Sequence, residues 1–383
     1  MLVTVLVIGY AAALLAARRA HYDVRYATLL SAVVWGCYLS ISSDILSLVA
    51  LVKRINLVIA WILFILVASF SALRTEAAEK ALAARVPFTR SEWLLTLGLG
   101  LVFGIVGMTA IFSPPNTQDA MEYHLPRVIL WASNQSRQLF STPNYAQVVF
   151  APWAETVMLH LYLLWGNDRL VNLVEFFSLI GLRLGASAIA WQLGGSRFAQ
   201  LGAVIAGTIP SGLLEASGAM NTAAGAFWVE TAVYFMLCLN KEQNESNLFG
   251  LSGAIGLAVL TKGTAYVFLP PLLLAAWWTG SNVARMMLLR LTPVPAIAVL
   301  LLNAAQFYRC YELTGSPLGF PFSDAGPGLR WMANPVSLGG GAANIFRQLS
   351  LDLPTPFPFG YHIVWLNEFT KQALSSYCAF LGK

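Results

Sequence analysis

The chain has 383 residues, of which 57% are hydrophobic and only 11% charged, with a mean hydropathy of +0.66. A soluble globular protein carries about 25% charged residues, so an ordinary soluble enzyme is excluded and the composition is that of an all-α, polytopic membrane protein. The net charge of +5 is spread out, with no basic run and no basic-aromatic interleaving, so the expected partner is the lipid bilayer and no nucleic acid.

Apolar runs close to the ~20 residues that cross a hydrocarbon core recur along the chain. They predict about ten transmembrane helices, at 1–17, 26–51, 56–73, 93–113, 169–193, 198–215, 222–240, 247–261, 264–280 and 287–309. The first run has no basic leading region and is followed by Arg18 and Arg19 rather than a small-residue cleavage site, which predicts a retained anchor. Residues 1–73 thus hold three helices, 74–91 form a basic, Ala-rich cytoplasmic linker, 92–310 form a core, and 311–383 are a Pro/Gly-rich outer segment.

Lys and Arg in short loops set the orientation. If 18–25 is cytoplasmic, then 74–92, 194–197, 241–246 and 281–290 are too, and these segments carry eleven basic residues against six in the opposite short segments up to Lys262. This places the polar loop of the core, 114–166, outside the cytoplasm.

That loop begins with SPPNTQDAMEYHLPR, Ser113 to Arg127. If the stretch is helical, Asp119, Glu122 and Tyr123 fall at i, i+3 and i+4 on one face. Two neighbouring carboxylates push one pKa up, leaving one as a general base and the other as donor or orienter. The bland alternative is a solvated loop with a helix cap and an Arg–Glu pair. Further on, PWAETVMLHLYLLWG, Pro152 to Gly166, is too short for a span and reads as a helix lying in the outer interface, with Trp153 and Trp165 at headgroup depth. Glu155 near its start serves either the helix dipole or chemistry.

Lys262 interrupts the apolar hairpin LAVLTKGTAYVFLPP on the outer side. It either snorkels to headgroups or meets a phosphate as a point charge. Asn221 lies in the small-residue outer turn EASGAMNTAAG. Asp44, Glu175, Arg183 and Glu230 are ionisable groups inside predicted spans, and the eight-residue spacing of Glu175 and Arg183 favours their structural pairing along one helix face. Cys37 and Cys238 read as core residues; Cys310 and Cys378 both fall in the outer segment, where a disulfide is one alternative.

TQDAMEYHLPRVILWASNQS, PWAETVMLHLYLLWGNDRLVNL, LAVLTKGTAYVFLPPLLL and FYRCYELTGSPLG together resemble the bacterial membrane glycosyltransferases of the GT-C fold. The branch is that of the polyprenyl-phosphate-sugar-dependent protein mannosyltransferases and aminoarabinose transferases, and the likeness covers roughly residues 92–318. The resemblance implies a GT-C-like helical bundle with juxtamembrane helices on its outer face, and transfer with inversion from a polyprenyl-phosphate sugar donor to an extracytoplasmic acceptor. It implies Asp119 as general base with Glu122 beside it, Lys262 and Arg127 on the donor phosphate, and Tyr123, His124, Glu155 and Asn221 around the substrates. No nucleotide cofactor is implied, and a divalent metal is required by some such enzymes and not by others. The chain departs from the pattern in four ways: Gln118 precedes Asp119 where relatives often have a second acid, Asn221 stands where they often have Asp, the three helices of 1–73 are additional to the usual core start, and relatives continue with more helices. A lipid-linked substrate transporter and a non-catalytic relative are the alternatives. Clustering of polar residues at one face, rather than at the midplane of repeated halves, favours the enzyme.

Overall fold

The computed structural model describes residues 2–20, 23–75 and 89–319. The chain divides into two units, 1–208 with 212–320 and 209–211 with 321–383; the first is the helical body described here. Phe357, Tyr361, Trp365, Cys378 and the segment FPFSDAGPGLRWM lie outside the described residues, as does most of the basic linker.

Every regular element among the described residues is helical. In chain order they are α1 (Thr4–Ala20), α2 (Val24–Leu48), α3 (Arg54–Arg74), α4 (Arg90–Phe112), a π-helical turn (Ala120–His124), α5 (Leu125–Asn134), α6 (Ala146–Val149), α7 (Trp153–Trp165), α8 (Leu173–Gly194), α9 (Ser196–Gly207), α10 (Pro210–Glu215), α11 (Thr222–Lys241), α12 (Glu245–Thr261), α13 (Ala265–Trp278), α14 (Asn282–Leu291) and α15 (Pro293–Thr314). The starts obey local chemistry. Asp23 accepts from the amides of Arg25 and Tyr26 at the head of α2, and Thr89 with Glu92 forms a reciprocal capping box at the head of α4.

Among the described residues six segments are long and apolar enough to cross a membrane: α2, α3, α4 from Glu92, α8, α11, and the continuous stretch Asn282–Thr314. The other expected spans correspond to shorter helices. α1 and α12 have 17 residues each and α13 has 14, or about 26 and 21 Å at 1.5 Å per residue. The run expected at 198–215 is divided between α9 and α10, with Pro210 opening the second piece.

The packing centre is α12, which touches α2, α11 and α15. Gly250, Gly253 and Gly256 make this approach possible. A Cβ at Gly250 would lie 2.6 Å from the Phe235 ring of α11, one at Gly253 would collide with Val33 of α2, and one at Gly256 would lie 2.5 Å from Leu302 of α15. Steps of three residues turn an α-helix by −60°, so three glycines sweep about 120° of its surface, one for each neighbour. Small residues at helix contacts are how membrane helices gain van der Waals packing where lipid supplies no hydrophobic drive.

α7 departs from expectation. Ten of its thirteen residues are buried, including Trp153, whose indole donates to the Gly36 carbonyl, while Trp165 is exposed. It packs against α2, α3, α5, α8 and α12. A helix lying in the interface would keep one wet face; one buried all round is a core helix. Thus α7 is enclosed by other helices, and its Trp165 end is exposed.

Candidate functional site

One end of the bundle gathers the termini of α2, α4, α8, α11, α12 and α15 together with the whole 113–172 connection. The seams are hydrogen bonds. Val52 donates its amide to the Gln135 carbonyl, Asn172 donates to the Ser113 carbonyl at 3.0 Å, and Gln306 donates to the Val149 carbonyl at 2.9 Å. Asp119, Glu122, Tyr123, His124, Arg127, Glu155, Asn221 and Lys262 lie in these termini and this connection, whereas Arg183 and Glu230 lie mid-helix in α8 and α11.

The π-helical turn presents Asp119. Leu125 donates its amide to the Ala120 carbonyl five residues back, the wider register that defines a π-bulge, a feature common at functional sites. Asp119 is half-buried, and the Tyr123 hydroxyl donates to its Oδ2 at 3.3 Å. Burial first, then the neighbouring Asp119 charge, drives the Tyr123 phenol well above its usual pKa, so it remains a hydrogen-bond donor. Glu122 is exposed and takes the side-chain amide of Gln118 at 3.4 Å. The two carboxylates of the loop thus have different partners and do not form a mutual pair.

Glu155 lies fully buried in the first turn of α7 beneath the loop. Its Oε1 accepts from Arg127 Nη1 at 3.0 Å and from His124 Nδ1 at 3.1 Å; a carboxylate only accepts here, so Nδ1 carries the proton. Arg127 also donates to the Phe150 carbonyl at 2.6 Å and stacks over Trp131, 4.7 Å from the ring centroid. Burial alone would raise the Glu155 pKa, but the Arg127 and His124 charges outweigh it and hold the group below the usual carboxylate range. The sequence-level Arg–Glu pair therefore exists, made with Glu155 of α7 rather than within the loop.

The second half of the site joins α8, α11 and α12. Glu175 accepts from the amides of Ala223 at 2.8 Å and Ala224 at 3.1 Å, capping the start of α11. The pairing expected with Arg183 is replaced by this cap, and the Arg183 guanidinium lies 5.9 Å from the Phe103 ring centroid. Backbone amides at a helix start offer Glu175 a nearer, better aimed positive end than a side chain two turns along its own helix. Asn221, buried, donates to the Thr261 carbonyl at 3.3 Å, and Lys262 donates to the Thr222 hydroxyl at 2.7 Å. Thr117, two residues before Asp119, donates to Met220 Sδ at 3.4 Å. These hydrogen bonds tie the Asp119 loop to the 218–222 turn, and that turn to the end of α12 at Lys262.

Sequence reasoning missed a second cluster. Asp44 lies 3.3 Å from Arg137 and 3.5 Å from Arg309, both guanidinium groups being buried. The signal available was Asp44 itself, an acid within a span that requires a partner. His160 of α7 accepts from the Trp61 indole at 3.0 Å, so its other nitrogen carries the proton toward Ser43, 2.8 Å away. Cys310 is buried and has no sulfur partner among the described residues. Among the described residues no three His, Cys, Asp or Glu side chains come together as a metal-holding group.

No protein-family model, no curated protein and no solved structure matches this chain. Among the described residues, fold and composition define the class: an all-helical integral membrane protein.

Proposed function

We infer that the chain is a membrane glycosyltransferase of the GT-C kind, with about ten membrane-embedded helices. It would move a sugar from a polyprenyl-phosphate donor to an acceptor on the extracytoplasmic face of a bacterial inner membrane. The observation that carries the reading is the contrast between Asp119 and the residues beneath it. His124 and Arg127 are committed to a buried anchor on Glu155, whereas Asp119 is partly open on a π-helical turn. The geometry supports Asp119 as the acting group and Tyr123 as its orienter.

In the reaction Asp119 accepts the proton of an acceptor hydroxyl or amine as the acceptor's lone pair attacks the anomeric carbon. The bond from that carbon to the lipid phosphate oxygen breaks on the opposite face, its electron pair leaves with the phosphate, and configuration inverts. Lys262, held by Thr222 beside Asn221, stabilises the charge growing on the phosphate. Arg127, buried and bonded to Glu155 and the Phe150 carbonyl, is here a positioning residue for the loop rather than a phosphate ligand. Glu122, exposed at the loop's rim, is assigned to the acceptor side.

The test is to supply purified protein in lipid vesicles with radiolabelled polyprenyl-phosphate sugars and membrane acceptors, and to determine the anomeric configuration of any product. Transfer with inversion supports the reading. Movement of the labelled lipid between leaflets without transfer would replace it with a transporter.

A further inference from the structure

We propose that Arg127, Arg137 and Arg309 form a binding site for one small inorganic anion of chloride size. Three buried guanidinium groups face two carboxylates. Arg127 is paired with Glu155, while Arg137 and Arg309 share the single oxygen Oδ1 of Asp44. Among the described residues one positive charge of this cluster is in excess. His160 is neutral, because one ring nitrogen accepts from Trp61. An uncompensated charge taken out of water is costly, so the cluster favours a further anion.

The donors for it are in place. Among the described residues Nε, Nη1 and Nη2 of Arg137 and Nε of Arg127 have no hydrogen-bond partner, the Asp44 contact lying outside hydrogen-bonding geometry. Both guanidinium groups lie near the Trp131 ring, 4.7 Å for Arg127 and 5.6 Å for Arg137 from its centroid, which satisfies neither nitrogen set. A cavity of about 10 Å³ opens among Arg127, Arg137, Arg309, Gln147 and the Trp131 ring. That is room for about one water-sized particle. A small monatomic anion fits this space more readily than a tetrahedral oxyanion. The site holds the 136–149 connection against α2 and α15, and it does not depend on the transferase reading.

The experiment follows thermal unfolding of the full-length protein in detergent as chloride or bromide replaces gluconate at constant ionic strength. A saturable rise of about 3 °C is expected in both halides, and inorganic phosphate should give none. Arg137→Gln should abolish the rise, and Lys53→Gln, an exposed cation outside the cluster, should keep it. No halide effect on the wild type, an equal effect of phosphate, or a rise that survives Arg137→Gln would overturn the proposal. Should Arg137→Gln fail to fold, bromide-soaked wild-type crystals decide: an anomalous peak among the three arginines supports the site, and its absence refutes it.

Discussion

Arg127 and Glu155, twenty-eight residues apart and both fully buried, meet at 3.0 Å and fasten the polar loop onto the internal helix α7. Removing one member leaves the other charge buried alone, at a cost of about 3–5 kcal/mol. Glu155→Gln and Arg127→Met are each expected to lower the unfolding temperature strongly. The double substitution Glu155→Met with Arg127→Met should cost less than the sum of Glu155→Met and Arg127→Met, by about 2 kcal/mol. Strict additivity in a denaturation cycle would show that the pair does not act as a unit.

Acid should destabilise the fold in two stages. Burial, with Arg137 nearby, pushes the His160 imidazole down to about 3 from its ordinary 6.5, so between those values the unfolded chain binds the extra proton. Stability then falls as pH drops from 6.5 toward 3, by up to about 1.4 kcal/mol per pH unit. Glu155 acts with the same sign at lower pH. Its folded pKa lies below the ordinary 4.5, so its contribution is present above 4.5 and is lost as pH falls through the folded value. Unfolding temperatures from pH 7.5 to 5 should decline less steeply in His160→Gln than in the wild type; equal slopes would remove His160 as the source.

The glycines of α12 can be separated from glycines that meet nothing. Gly253→Ala drives a methyl into Val33 and Cys37 and should cost about 1–3 kcal/mol. Gly100→Ala, on an exposed face of α4 with open space around it, should be neutral or stabilise by about 0.5–1 kcal/mol. Thermal unfolding of both variants checks the pair, and equal losses would contradict the packing described for α12.

Glu175 should matter through the backbone it caps. Glu175→Ala leaves the Ala223 and Ala224 amides without their acceptors at a cost of about 1–2 kcal/mol, whereas Glu175→Gln keeps one carbonyl acceptor and should be milder. Hydrogen exchange at those two amides reads the effect directly. Unchanged protection in Glu175→Ala would mean that another group holds the start of α11.

Much of the fold was legible because hydrophobic runs in a membrane chain translate directly into helices: each expected apolar run is helical among the described residues, with 198–215 and 287–309 each divided in two. Their membrane role was less legible. Span length depends on where a helix breaks, as at Pro210, and on pairs such as Lys262 with Thr222 that set an end. Trp153 carried the usual mark of an interfacial residue, yet its indole is buried against Gly36, because α7 is surrounded by helices that no local pattern places there. In the candidate site, Asp119, His124, Arg127 and Glu155 stood out as polar residues in an apolar chain. Asp44 with Arg309 did not, since 265 positions separate them and only the fold brings α15 beside α2. The Glu175 cap was hidden for the same reason: its true partners are amides on another helix.

The most direct test of the central claim compares wild type with Asp119→Asn for transfer of labelled sugar from a polyprenyl-phosphate donor to membrane acceptors, at matched expression and unfolding temperature. Asparagine keeps the size of the side chain and can still accept from Tyr123, but it cannot take the acceptor's proton. Transfer by the wild type, lost by at least about a hundredfold in Asp119→Asn with donor binding intact, is the result expected of a general base on the π-helical turn. Equal transfer by the two proteins, or none by either, would contradict it.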